Sequence, residues 1–149
     1  MDQSALEEAE VMDIVNQLTL MGAEHGLPRV AARILSYLML TGRPVGRSDI
    51  RQRLQISHAG LSANTRLLVD AGLIRRTVLQ GTLADGFEVP PDAWQVQLER
   101  NIARLGRKQR DIDSILERTT SAPLRALDAA LKAEIETKRR MLGELAPGA

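Results

Sequence analysis

Two short helical segments that are separated by a tight turn and followed by a stretch of strand character restrict the fold of this chain most strongly. Residues 47–54 carry apolar side chains four positions apart, as a short amphipathic helix requires. After a turn, Ser57 offers a hydroxyl that can accept from the unpaired backbone N–H groups at a helix N-terminus. We expect the helix that begins there to run to about Ala71 and to end at Gly72.

The pattern changes after Gly72 from helical to strand periodicity. Residues 73–79 are rich in branched side chains, residues 80–86 contain two glycines and one aspartate, and residues 87–89 predict a returning strand. Residues 43–45 predict a short extended piece before the first short helix. Two short helices followed by a small hairpin are the layout of a winged helix-turn-helix, which lays its second short helix in the DNA major groove.

Apolar residues recur at three- and four-residue intervals through both ends of the chain, which predicts flanking helices. The expected flanking helices are 4–24 and 29–40 before the short helices, one through about 118, and one from 123 to 145. The predicted fold class is therefore mainly α with a small β-hairpin wing. We expect a single domain, 1–149, with a winged helix-turn-helix in 28–90 and helical dimerisation segments in 1–27 and 91–149.

The flanking apolar stripes exceed the surface that a lone winged helix of about 65 residues could cover. Intertwining with a second copy would cover them, and two-fold symmetry would place two recognition helices about one DNA turn apart on a pseudo-palindromic site. The alternative is that these helices fold back onto their own winged part. We favour the homodimer.

Charge is distributed unevenly, although the net charge is only +1. Residues 1–27 carry six acids and no base, whereas residues 28–76 carry nine arginines against two aspartates. A concentrated basic block suggests a local surface for a polyanion, although arginines that only solvate helix faces would give the same count. The acidic first segment is expected to lie away from DNA, because phosphate would repel it.

Residues that the chain lacks argue against several classes of function. There is no cysteine and there are only two histidines, so a disulfide framework, a metal site and a thiol nucleophile are not expected. No Gly-rich phosphate loop, HExxH or GxSxG sequence occurs, so we expect neither an enzyme nor a bound cofactor. No apolar run approaches 18 residues and the N-terminus lacks the basic start of a signal peptide, so the expected location is cytoplasmic, without a membrane.

The stretch from Gly26 to Trp94 resembles the winged helix-turn-helix of MarR-type transcription regulators, and it looks closest to the GbsR-like branch. The matching segments are RVAARILSYL (29–38), RPV (43–45), SDIRQRL (48–54), ISHAGLSANTRLL (56–68) and AGLIRR (71–76). The resemblance implies a transcriptional regulator, expected to be a repressor, that binds double-stranded DNA. Wings of this family usually carry basic residues at the tip, but the expected tip here, 80–86, has one acidic residue and no basic one. This departure weakens the expectation that the wing enters a minor groove.

A helical wheel of residues 57–71 separates an inward from an outward face. Leu61, Thr65 and Leu68 fall inward, and the opposite side is small, apart from one arginine. Small side chains let the helix backbone approach the base edges. Ala can contact a thymine methyl, Ser can donate or accept a hydrogen bond, and Arg can donate two hydrogen bonds to guanine. The candidate DNA-contact residues are Ser57, His58, Ala59, Ser62, Ala63, Arg66, Arg47, Arg75 and Arg76.

These candidates have different expected roles. Ser57 and His58 lie at a helix N-terminus, which favours phosphate. Arg47, Arg51 and Arg53 are candidates for positioning on phosphate rather than for reading bases. Arg75 and Arg76 could reach phosphate from the root of the wing. Taken singly, each of these residues could also be an ordinary solvated side chain.

Two functions of different classes stay open. The first is a homodimeric, sequence-specific regulator with residues 57–71 in the major groove. The second is a winged-helix protein-interaction module that has lost DNA reading, which the uncharged wing tip favours slightly. A small-molecule effector between the winged part and the dimerisation helices is compatible with the first, but nothing in the sequence identifies its chemistry.

Overall fold

The computed structural model describes residues 7–145, which are mostly helical with one small sheet. The helices are α1 Glu8–Glu24, α2 Arg29–Thr41, α3 Arg47–Leu54, α4 His58–Asp70, α5 Ala93–Leu116 and α6 Ala122–Leu145. The strands are β1 Val45–Gly46, β2 Arg75–Val78 and β3 Asp85–Glu88. These elements form two compact units, one ending at Ala93 and the other beginning at Trp94.

The predicted fold class is confirmed, and the differences lie in the sheet. The returning strand spans Asp85–Glu88 rather than residues 87–89, so it begins nearer the tip of the wing. The sheet has three strands in the order β1-β3-β2, because the extended piece before α3 pairs antiparallel with β3, Val45 opposite Phe87. The predicted two-stranded hairpin therefore lacked the third strand, β1. The first residues of the helix expected from residue 4 lie outside the described part.

The core of the first unit gathers around α2. Ile34 and Leu38 are fully buried on this helix, and Phe87 reaches the same cluster from β3. Burial of each such side chain contributes about 1.5–3 kcal/mol. The helix ends at Gly42, whose φ of 66° is a left-handed conformation that glycine adopts without a steric cost.

The turn between α3 and α4 fixes how α4 is presented. Gln55 closes α3 in the left-handed region, with φ 54° and ψ 53°. Ser57 then caps α4, as predicted, and its Oγ accepts from the backbone N–H of Gly60 at 3.0 Å. Leu61, Thr65 and Leu68 anchor the inner face of α4, each with none of its surface exposed.

The second unit consists of the helices α5 and α6. Leu105, Leu131 and Ile135 form its small apolar cluster. Beside it, buried Asp128 accepts from Lys132 Nζ at 2.8 Å and from Gln109 Nε2 at 3.1 Å. Between residues 7 and 145, no helix combines the length and apolar character that crossing a bilayer requires.

Candidate nucleic-acid interface

The outer face of α4 is exposed and is lined mainly by small side chains. Ala59, Ser62, Ala63 and Arg66 all lie on the exposed side of the helix. Because three of these four side chains are small, a flat partner could approach the helix backbone closely. The wheel therefore placed these residues on the correct side of α4, and their contact with DNA stays a prediction.

The N-terminus of α4 adds two exposed candidates. Ser57 uses its hydroxyl as the helix cap, and His58 is the first helical residue. Backbone N–H groups at a helix N-terminus carry partial positive charge, which suits an anion such as phosphate. This end of α4 could hold a phosphate at the edge of the small face.

Arg47, the first residue of α3, lies close to this face and is held in place on two sides. Its Nη2 donates to the Oγ of Ser62 at 2.9 Å, and its guanidinium carbon lies 5.7 Å from the centre of the Phe87 ring. That distance is within the range of a cation–π contact. Sequence reasoning missed this link, because it joins residues 15 positions apart through the packing of α3 on α4.

Arg75 and Arg76 lie on β2 at the root of the wing, and both are exposed. Arg75 Nε donates to Glu88 Oε1 at 2.8 Å across the paired strands. An exposed ion pair of this kind contributes at most about 1 kcal/mol, so phosphate could still compete for the guanidinium. Arg76 lies opposite Phe87 in the strand register.

The other two arginines of α3 differ from Arg47 in their surroundings. Arg53 lies 3.4 Å from Glu8 of α1 and 3.8 Å from Asp49. Arg51 is half-buried, and its buried Nε has no hydrogen-bond partner among the described residues. Both ion pairs of Arg53 are exposed and therefore weak, so phosphate could compete for this guanidinium as it could for that of Arg75.

The wing tip carries apolar rather than basic exposed side chains. Leu83 is 96% exposed, and Val78 at the end of β2 is 60% exposed. Thr82 shapes the turn, because its Oγ1 accepts from the N–H of Ala84 at 3.2 Å. Within residues 7–145, no group of three His, Asp or Glu side chains is placed to hold a metal ion.

Comparisons with known proteins agree with this geometry. Residues 25–82 match the MarR family. The chain is 26% identical over 117 residues to the HTH-type transcriptional regulator MmpR5 of Mycobacterium tuberculosis (strain ATCC 25618 / H37Rv), covering 78% of this chain and 71% of that protein.

A solved structure described as that of a transcriptional regulator shares the fold. It superposes with a TM-score of 0.71 at 23% identity, over 90% of this chain and 96% of the other. MarR-family regulators are DNA-binding proteins rather than enzymes, and they typically act as dimers. The central part of this chain is thus similar to the MarR family, and most of its length has the fold of a winged helix-turn-helix transcription regulator.

Proposed function

We propose that this protein is a sequence-specific regulator that reads duplex DNA with α4 in the major groove. The observation that carries the proposal is the outer face of α4, where Ala59, Ser62 and Ala63 leave the helix backbone open to base edges. Major-groove reading needs this close approach, because the groove is only about 12 Å wide. Arg66 extends from the same face and is the candidate for a two-pronged contact with guanine.

The surrounding candidates would fix the register of α4 on the duplex. Ser57 and His58 would meet phosphate at the helix N-terminus, and Arg75 and Arg76 would meet phosphate from the wing. Arg47 keeps several unused guanidinium donors besides the one given to Ser62, so it could also contact phosphate.

We further propose that two copies act together. The flanking segments expose large apolar side chains, including Leu20 at 66% and Met21 at 60% on α1, and Met141 at 47% on α6. Two helices with one small apolar cluster bury too little surface to be stable alone, and a second copy would cover the rest. A two-fold dimer would bind a pseudo-palindromic operator with half-sites about one turn apart. In this scheme residues 28–90 read DNA, and residues 1–27 and 91–149 dimerise.

We propose repression rather than activation, by steric exclusion at operators that overlap a promoter. A dimer that spans two half-sites covers the duplex between them, so another protein cannot use the same stretch. Deletion of the gene is then expected to raise transcription from the promoters it binds. The GbsR-like branch, a cytoplasmic location and a small-molecule effector are finer predictions from the sequence that belong to this same proposal.

Selection of bound sequences from random duplexes by the purified protein tests the proposal. We expect one enriched pseudo-palindrome, bound with an affinity that falls steeply as salt rises. Arg66→Ala should weaken binding about 5- to 100-fold and relax base preference at one position of each half-site. Arg125→Ala, which removes the same charge from exposed α6 surface, is the matched control and should keep the base preferences.

A protein-interaction module is the alternative, and the wing tip favours it. Leu83 is almost fully exposed at a position where a DNA-contacting wing would carry a basic residue. Under this alternative the selection would enrich no sequence at moderate salt, and substitution of Leu83 by Ser would abolish capture of a protein partner. An enriched operator that Arg66→Ala impairs would instead contradict it.

A further inference from the structure

We propose that Arg47 makes the Ser62 hydroxyl a dedicated hydrogen-bond donor, so that α4 selects a base with an acceptor at the position Ser62 meets. Such acceptors in the major groove are purine N7, guanine O6 and thymine O4, whereas cytosine offers only its amino group. The inference rests on the proposed DNA reading and specifies what one residue of the interface reads.

The first step is the direction of the Arg47–Ser62 hydrogen bond. A guanidinium has five N–H donors and no acceptor, so the oxygen of Ser62 must be the acceptor in the 2.9 Å contact. A second contact favours this position of Arg47, because its guanidinium carbon lies 5.7 Å from the centre of the ring of fully buried Phe87. The Ser62 oxygen therefore has a cationic donor on one side.

The second step concerns the hydroxyl proton. Helical Ser and Thr side chains commonly donate to the carbonyl one turn earlier. Five hydroxyls in the described helices do so, at 2.6 to 3.0 Å: Thr19, Ser36, Thr41, Thr65 and Thr137. Ser62 has no such bond among residues 7–145, so its proton is available on the exposed side of α4.

The third step is electrostatic. A cation that donates to the hydroxyl oxygen polarises the O–H bond, which strengthens it as a donor and weakens the remaining lone pair as an acceptor. The same positive charge repels an approaching amino group and attracts a ring nitrogen or carbonyl oxygen. Without Arg47, serine is indifferent to the two kinds of group, because a hydroxyl can donate or accept.

The experiment compares base preferences rather than affinity alone. The operator is first selected with the unchanged protein, and failure at this stage would refute the proposed function, not only the role of Ser62. Selections are then repeated with Ser62→Ala, Arg47→Ala and Arg47→Lys, after circular dichroism and thermal unfolding confirm that each is folded. Arg43→Ala removes an equal exposed charge just before β1 and serves as the control.

We expect one position in each half-site to exclude cytosine with the unchanged protein. Ser62→Ala should lose that exclusion and lower operator affinity about three- to tenfold, as loss of one hydrogen bond does. Arg47→Ala should admit cytosine at the same position, Arg47→Lys should restore part of the exclusion, and Arg43→Ala should leave it intact.

Two results would overturn the inference. In the first, Ser62→Ala leaves every base preference unchanged, which is the result expected if Ser62 contacts phosphate rather than a base. In the second, Arg47→Ala lowers the affinity for all sequences equally, which would make Arg47 a phosphate contact without influence on Ser62.

Discussion

Substitution of Gly86 by Ala should destabilise the wing, because a side chain there has no room. Gly86 is buried in β3, opposite Gly46 on β1 and Thr77 on β2. A Cβ atom at this position would lie 2.6 Å from Leu79 Cδ2 and 3.1 Å from the carbonyl oxygen of Val45. Leu79 lies across both glycines, since a Cβ on Gly46 would also come within 3.0 Å of its Cδ1.

The magnitude follows from what can move. Leu79 can rotate, but it then gives up its packing over the two glycines. The carbonyl of Val45 belongs to β1, whose pairing with β3 resists displacement. Overpacking of this kind costs about 1–3 kcal/mol. For a chain of this size, that cost corresponds to a fall in Tm of about 3–10 °C.

Thermal and urea unfolding of the purified protein measure the effect. Gly143→Ala is the matched control, because a Cβ there meets nothing within 4 Å and should not lower Tm. The double variant Gly86→Ala with Leu79→Ala should lose less stability than the sum of the two single variants, since the new methyl fills space that Leu79 leaves. A Gly86→Ala protein as stable as the unchanged protein, or strictly additive effects, would refute this steric reasoning.

Three further predictions concern stability. Gly106→Ala, inside α5, should raise the free energy of unfolding by about 0.5–1 kcal/mol, because alanine favours the helix more than glycine does. The new Cβ would meet only the end of a flexible arginine, at 3.3 Å. An unchanged or lower midpoint in urea would contradict it. Ser57→Ala should cost about 1 kcal/mol through loss of the α4 cap, and Ser57→Asp should retain the stability; equal midpoints for the Ala variant and the unchanged protein would speak against the cap. Hydrogen bonds from Lys132 and Gln109 hold the pKa of Asp128 below its ordinary value of 3.8, so its contribution is present above that value and is lost as the pH falls through the lowered pKa. Asp128→Asn should therefore flatten the acid limb of a stability–pH curve, and an unaltered limb would count against this role.

Local signals predicted the helical part of the fold well. The cap at Ser57, the positive-φ glycines at Gly42 and Gly72 and the apolar spacing of α3 are each decided within one or two turns of chain. These features depend on backbone sterics and on hydrogen bonds between residues that are close in the chain, so they can be predicted from the local sequence. The outward face of α4 follows from the same helical geometry.

Long-range pairings could not be predicted in this way. The two-residue strand β1 exists because Val45 meets Phe87, more than forty positions away, and two residues carry no periodicity of their own. The contact of Arg47 with Ser62 likewise depends on how α3 packs on α4. The partners of Arg53 and Arg75 required the tertiary positions of Glu8 and Glu88. Sequence reasoning thus found the candidate residues but not the side-chain links that position them.

Directed DNA cleavage tests the placement of α4 most directly. The chain has no cysteine, so a single Leu67→Cys substitution, on exposed α4 surface one turn beyond Ala63, can carry an iron–EDTA label at one known position. On the selected operator, we predict two clusters of cuts, one in the major groove of each half-site and about one helical turn apart. The same label on exposed Gln17 of α1 should leave the operator uncut. Cutting from Gln17 but not from residue 67, with the operator still bound, would contradict the account.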